Sequence, residues 1–474
     1  MTDATPSAPP SDAPEPRDAG RLRDAGRLRG AGPALLALAM GGFTIGTTEF
    51  ATMGLLSDIA TDLGTSIPTA GHAITAYAVG VVVGAPLLTV AAARVPRKTL
   101  LLALMAFYTL GNLFSATAGS IETLVAGRFL AGLPHGAFFG VGAAVGAAVA
   151  GPGRRGRAVA TMMAGLTIAN VVGVPLSTFA GQQLGWRAAF VVVGALGLVT
   201  LLALWRLIPA GAGNEDTSVR RELGALRNGP LWTGFVGAAI GFGGMFAVYS
   251  YVEPTVTRVT GLASGAVPLV LAIFGVGMTV GTVLGGRLAD RSVMRTVYLG
   301  FVSTGAMLAL FALTGQHPVP AVLSLFLLGV TSQILGLSLQ TRLMDLSPSA
   351  PSLGAALCHS ALNVGNANGA FLGGLVIAAG WGYLAPAWTG VVLTVAGLTI
   401  ILVAGRRPAG VVVATLPDAA PAPSSAVAPP RAPADRPRWR PCGGPVSPSQ
   451  VPAGRGRLCR ARTAVRAVTS GGSR

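Results

Sequence analysis

Charge is scarce in this chain of 474 residues: 11% are Asp, Glu, Lys or Arg, and Lys98 is the single lysine among 34 basic residues. A soluble domain carries about a quarter charged residues, so an ordinary water-facing surface is excluded. Cysteine is scarce too, and Cys358, Cys442 and Cys459 offer no spaced framework for a metal or a disulfide scaffold. There is no GxxxxGK[ST] and no polar stretch long enough for an ATP-hydrolysing domain, so no cofactor is expected and any work must draw on a gradient. The net charge of +17 has the sign of a nucleic-acid footprint. Its arginines, however, sit in the two tails and in alternate short loops, which is a topology signal and excludes a nucleic-acid partner.

What is abundant is apolar length. Hydrophobic residues make up 51% of the chain and the mean hydropathy is +0.64, which predicts an all-α membrane protein. Segments of spanning length recur at 33–56, 70–93, 99–118, 121–147, 158–183 and 187–208, and again at 231–252, 263–286, 296–314, 318–341, 353–380 and 385–405, each long enough for the ~30 Å hydrocarbon core. Arginine clusters in alternate connections place both termini in the cytoplasm of a cell-membrane protein; the opposite face keeps Arg187 and Arg258 beside Asp58, Asp62, Glu122 and Glu253. The expected organisation is a disordered tail over 1–32, a six-helix bundle over 33–208, a cytoplasmic linker over 209–230, a second bundle over 231–406 and a disordered basic tail over 407–474. ANVVGVPLSTFAGQQLGW from Ala169 and GNANGAFLGGLVIAAGWG from Gly365 echo each other, as duplicated halves with a midplane site would.

Buried charge is the candidate chemistry. Glu49, in GTTEFATMGLL, is the one carboxylate that the spans place well inside the membrane, and Arg128, in LVAGRFLAGLPHGAFFG, is the one matching cation. Each lies seven residues from the same end of its span, so about 10 Å deep. An ionised group at that depth costs at least ~2.5 kcal/mol and has to face protein or a water-filled cavity. If the two helices are neighbours, the protonation state of Glu49 depends on what occupies the cavity, which is what proton exchange requires; a static ion pair that fixes packing is the competing role. His135, seven residues beyond Arg128, shares its face and can relay protons or simply hydrogen-bond a neighbouring helix. His72 and His359 lie near span ends and carry no expectation.

The fifth span holds Gly165, Gly173, Pro175 and Gly181, small residues and a ladder break that suit a pliable, tightly packed helix. Asn112, Asn170, Asn363 and Asn366 are candidates to hydrogen-bond substrate in a central cavity, Asn368 lies nearby, and all five can serve helix–helix bonding instead. GGRLADRSVMR from Gly285 ends the eighth span, where Asp290 beside Arg291 can clamp two helices.

The stretches GTTEFATMGLLSDIA, SIPTAGHAITAYAVGVVVGAPLL, GLPHGAFFGVGA and GLTIANVVGVPL make the chain from about 33 to 406 resemble the major facilitator superfamily, in its twelve-helix drug:proton antiporter branch near the AraJ-type sugar-export and actinobacterial chloramphenicol-efflux groups. The resemblance implies two pseudo-symmetric six-helix bundles and alternating access. It assigns proton coupling to Glu49 with Arg128 and Gly132, and the antiporter motif to Gly165, Gly173 and Pro175, which here reads Gly-Val-Pro. It also assigns a cytoplasmic gate to Gly286, Leu288, Asp290 and Arg291. In the first half that gate signature has lost its aspartate and keeps Arg94, Arg97 and Lys98. The function implied is not enzymatic: a monomeric exporter of a small hydrophobic drug such as chloramphenicol, in exchange for protons. Sugar or metabolite efflux on the same fold is the alternative, and a receptor or scaffold without flux is a third.

Overall fold

The computed structural model describes residues 16–91, 95–151, 154–211, 227–348 and 351–406. Among the described residues every regular element is helical, because the apolar runs leave the backbone no partner but itself. The first half consists of α1 (Pro16–Ala51), a 3₁₀ turn (Thr52–Gly54), α2 (Leu56–Asp62), α3 (Ile67–Ala91), α4 (Arg97–Ala116), α5 (Ile121–Ala150), α6 (Arg155–Ile168), a π turn (Ala169–Gly173), α7 (Val174–Leu184) and α8 (Trp186–Leu207). The second half consists of α9 (Gly229–Gly241), α10 (Gly243–Tyr249), α11 (Val252–Arg258), α12 (Val267–Arg291), α13 (Val293–Thr314), α14 (Pro318–Asp345), α15 (Pro351–Ala378) and α16 (Ala385–Arg406). Twelve helical segments are long and apolar enough to cross a membrane. The broken ones are α6 through α7 and α9 through α11.

The first helix differs from the expected tail boundary at 33. It runs back to Pro16 with Pro33 inside it, because the Ala, Leu and Arg of the doubled DAGRLR are strong helix formers and prolong a helix already nucleated by the span. The expectations for the linker, the carboxyl tail, Arg94, Cys442 and Cys459 fall on residues outside those described.

One end of the bundle carries Asp58, Asp62, Glu122 and Glu253; the other carries Arg154, Arg206, Arg227, Arg291 and Arg342. We call them the acidic and basic ends. At the acidic end a single apolar core joins the halves, with Phe50, Met53, Ile59 and Ile74 packed together with Phe246, Tyr249, Leu271 and Phe274. Toward the basic end the cores separate: Leu38, Ile45, Phe138 and Val145 pack in the first half, and Leu231, Leu343 and Cys358 in the second. The most extensive inter-half helix contacts are α3 with α15, and the π turn and α7 with α12. The acidic end is therefore the sealed one.

Candidate site around Glu49 and Arg128

The site builds outward from Arg128, which is fully buried on α5. Its guanidinium donates to the Thr48 carbonyl at 3.2 Å and, at 3.5 Å each, to Thr48 Oγ1 and Asn112 Oδ1. The cation also lies 4.2 Å from the centroid of the Tyr77 ring and 5.4 Å from that of Phe190, contacts that stabilise a desolvated cation by about 2 kcal/mol. Nε has no partner. Every hydrogen-bond acceptor it reaches is a neutral dipole.

Those acceptors are themselves held. Thr48 Oγ1 donates to Asn112 Oδ1 at 2.8 Å, and Asn112 Nδ2 donates to the Tyr108 carbonyl at 2.8 Å. Tyr108 OH in turn donates to the Thr44 carbonyl at 3.1 Å, and Thr44 Oγ1 meets Thr200 Oγ1 at 3.0 Å. The chain of bonds ties α1 to α4, α5 and α8. Asn112 has no exposed surface and its amide is consumed by this network, so in this conformation it supports Arg128 and lines no cavity.

Glu49 follows Thr48 on α1 and keeps 8% of its surface accessible. It lies within Coulombic range of Arg128, Tyr77 and Tyr108, yet among the described residues it forms neither an ion pair nor a hydrogen bond. The ion pair at contact distance lies elsewhere, between Arg187 and Asp62. Phe50, the next residue, stacks parallel on Phe246 at 6.2 Å and edge-on against Tyr249 at 5.6 Å. Glu49 thus lies within Coulombic range of a cation held by neutral groups and one residue before Phe50, whose ring packs on the second half.

His135 is buried, and its Nδ1 is 2.9 Å from Tyr77 OH. Tyr77 therefore touches both the imidazole and the Arg128 guanidinium. On the other side His135 faces the Phe139 ring at 5.2 Å, and Phe139 stacks on His359 at 5.7 Å and 7°. His359, which the sequence places near a span end, is half-buried against the opposite half. It was missed because an apolar run gives no sign of which helix stands opposite.

The other candidates are dispersed. Asn363 Nδ2 donates to the His359 carbonyl at 3.0 Å and Asn170 Nδ2 to the Leu166 carbonyl at 3.2 Å, each leaving Oδ1 without a partner, whereas neither amide atom of the buried Asn366 has one. These open hydrogen-bonding positions lie on both sides of the inter-half seam. Gly165 admits the Ala39 carbonyl where a Cβ would sit, and Gly173 admits Thr47 Oγ1, so the fifth span can press against α1. Pro175 carries no N–H for the ladder; just before it Val174 N–H reaches back to the Ala169 carbonyl, a π turn over Ala169–Gly173 that fixes the register of the bend. Asp290 and Arg291 are exposed on the last turn of α12, with Gly286 half-buried nearby. Asp290 is in no ion pair among the described residues, and Arg97 opens α4.

One buried acid escaped the sequence. Glu253 is 6% exposed, because the seventh span continues through Arg258 and draws Glu253 into the core. A carboxylate at the edge of an apolar run looks like loop; only matching the two halves residue by residue could have flagged it.

Among known proteins, the Major Facilitator Superfamily profile matches residues 38–350. The chain is 39% identical over 381 residues to the inner membrane transport protein YdhP of Escherichia coli (strain K12), covering 80% of this chain and 98% of that one. It is 32% identical over 374 residues to the chloramphenicol resistance protein of Streptomyces lividans, covering 77% and 94%. A crystal structure of the nucleoside transporter NupG, in a mutant form, matches with a TM-score of 0.63 at 15% identity, over 77% of this chain and 98% of that one; at that identity the likeness concerns fold alone.

Proposed function

Because the chain belongs to the major facilitator superfamily, and is a multi-pass cell-membrane transporter of small molecules rather than an enzyme, we propose that it exports a small hydrophobic drug in exchange for protons, with Glu49 as the coupling carboxylate. The observation that carries the reading is the separation of roles at one depth: the terminal nitrogens of Arg128 are engaged by Thr48 and Asn112 and its face by Tyr77, and Glu49 is left without a bonded partner. A static pair would show the two in contact. A carboxylate beside a fixed cation and without a bonded partner exchanges its proton with whatever reaches it as the halves move.

The aromatic rings beside Glu49 favour an apolar substrate. Phe50, Phe246, Tyr249 and Phe274 form one buried aromatic cluster across the halves; once the halves part, these rings would offer a flat apolar molecule contact area and dispersion without needing a matched set of donors. The similarity to a chloramphenicol resistance protein points the same way. The arginine distribution supports a cytoplasmic basic end; in this reading the closed acidic end faces outward, and a monomer rocks one half against the other.

One pH unit supplies about 1.4 kcal/mol per proton, which sustains about a tenfold substrate gradient at one-for-one exchange. The test is chloramphenicol accumulation in inverted vesicles under an imposed pH gradient, with and without an uncoupler. Wild type should accumulate the drug and lose it on uncoupling, and Glu49→Gln should equilibrate it without accumulation. Gradient-driven accumulation by Glu49→Gln would remove the coupling assignment; accumulation of a sugar in place of the drug would replace the substrate class.

A further inference from the structure

The two halves superimpose in sequence number at a constant offset of 196 around the acidic end. The short helices Leu56–Asp62 and Val252–Arg258 are equivalent residue by residue. Each is entered through a residue with matching backbone angles, Leu55 at φ −124°, ψ 16° and Tyr251 at φ −117°, ψ 21°. Ser57 and Glu253 occupy the same place in the two helices. They also touch: the Ser57 backbone N–H donates to Glu253 Oε2 at 3.0 Å, one half to the other. This bond therefore joins positions related by the pseudo-symmetry of the fold, where rocking the halves apart at this end must break it.

Its surroundings make it sensitive to one proton. Glu253 is 6% exposed and, among the described residues, is in no ion pair; its other oxygen accepts at most a long bond, 3.5 Å, from Thr257 Oγ1 on its own helix. The elements packed on this helix are α2, the 3₁₀ turn and α12. They bring Asp58 on α2 into electrostatic reach, and Arg258 on the same helix, which donates to Tyr383 OH at 3.1 Å, acts on the carboxylate with the opposite sign. The charged residues of α12 (Arg287, Asp290 and Arg291) lie at the opposite end. A cleft of about 480 Å³ between the halves, lined by Ala60, Thr65, Arg258 and Tyr383 among others, brings solvent about one helical turn from both partners.

We propose that Glu253 is a second proton-binding site, distinct from Glu49: charged, it latches the acidic end shut through the Ser57 N–H, and taking one proton from the medium on that side releases the latch. The inference rests on the alternating-access reading above. A carboxylate accepts this bond roughly twice as strongly as a neutral oxygen does, so the proton's arrival weakens the buried polar tie that the opening motion has to break, leaving the exposed bond from Gln182 Nε2 to the Ser264 carbonyl at 3.0 Å, which carries no charge. Low pH at the acidic end then opens that end, which is where an exporter must release its cargo and reload.

Spin labels on Thr117→Cys and Gln316→Cys, exposed positions of opposite halves at this end, report the opening as a distance distribution in the full-length protein, with Cys442 and Cys459 replaced by serine. Wild type should shift from a short to a long distance between about pH 8 and about pH 5. Glu253→Gln should hold the long-distance population at both, raising the open-to-closed ratio at high pH about fivefold or more. Two serine variants separate the latch from general damage. Ser57→Pro deletes the donated N–H at a position in the first helical turn that tolerates proline and should match Glu253→Gln, whereas Ser57→Ala keeps the N–H and should behave as wild type. Glu49→Gln should lose coupled transport yet keep the pH-dependent distance. A wild-type distance response in Glu253→Gln or Ser57→Pro, or its loss in Glu49→Gln alone, overturns the proposal.

Discussion

The two halves of the molecule share a register and differ in chemistry. At the 196-residue offset Asp62 corresponds to Arg258 and Arg187 to Tyr383, and both halves join these positions: Arg187 to Asp62 as an ion pair, and Arg258 to Tyr383 OH at 3.1 Å. The clamp between the first and last helices of each half is thus kept, with its charge moved to the other partner. Glu49, by contrast, corresponds to Met245, and Arg128, in spans that pair at an offset of 197 (Gly132 on the Tyr77 carbonyl, Gly329 on the Phe274 carbonyl), to Leu325, both apolar. A contact that serves shape is retained in both halves whatever its chemistry, whereas the buried charges exist in one. That asymmetry argues that Glu49 and Arg128 are present for what a charge can do, since the second half packs without them.

Breaking the asymmetry should have the largest effect. Glu49→Gln removes the carboxylate that the second half lacks at Met245 and should abolish drug accumulation against a gradient in vesicles. Adding Met245→Glu to it should not restore accumulation, because no cation corresponding to Arg128 faces that position. Restored transport would show that either half can host the carboxylate.

Next in size is Arg128. Removing the guanidinium leaves the Thr48 carbonyl and Asn112 Oδ1 buried without their donor, and Arg128→Met should lower stability by about 3 kcal/mol, read as a fall in the detergent melting temperature. Arg128→Lys keeps the charge but loses the planar stack on Tyr77 and should fall between wild type and Arg128→Met. Equal stability in all three would mean the network contributes little.

A smaller loss is expected at the helix contact that lets the fifth span move. Gly165→Val forces a branched side chain against the Ala39 carbonyl and should cost about 1–3 kcal/mol by overpacking. It should slow transport while leaving the Glu49-dependent response to pH intact, because the site residues are untouched. Loss of that response would place Gly165 within the coupling machinery.

The smallest effect belongs to the paired clamps. Hydrogen bonds from Arg187, and then from Trp186, hold the Asp62 carboxyl below the usual aspartate range. Its contribution is therefore present above that ordinary range and disappears as pH falls through the lowered value. The pair is exposed and screened, so Asp62→Asn should change stability only slightly and remove a weak acid-side dependence. Tyr383→Phe, in the half whose clamp has no carboxylate, should leave that acid-side dependence unchanged.

Much of this was legible in the sequence, and the limits are physical. Twelve spans follow from apolar run length, since a bilayer demands that the backbone satisfy its own hydrogen bonds. Equal depth for Glu49 and Arg128 follows from counting residues along straight helices. What could not be read was which neutral groups receive Arg128: Thr48 is next to Glu49, but Asn112 and Tyr77 stand on other helices. The sequence could not show that the fifth span absorbs Pro175 as a π turn either, because proline announces a disturbed ladder without its register. Glu253 was hidden by its position at the edge of a span, and the pairing of Ser57 with Glu253 emerges only when the two halves are aligned on their helix breaks.

The most direct test of the central claim is proton release on substrate binding, measured with a pH indicator on purified protein in weakly buffered detergent solution. If drug and proton share Glu49, each weakens the other's binding by the same factor, and saturating chloramphenicol should release about one proton per wild-type transporter near the midpoint of that linkage and none from Glu49→Gln. Equal release from both proteins would contradict the account.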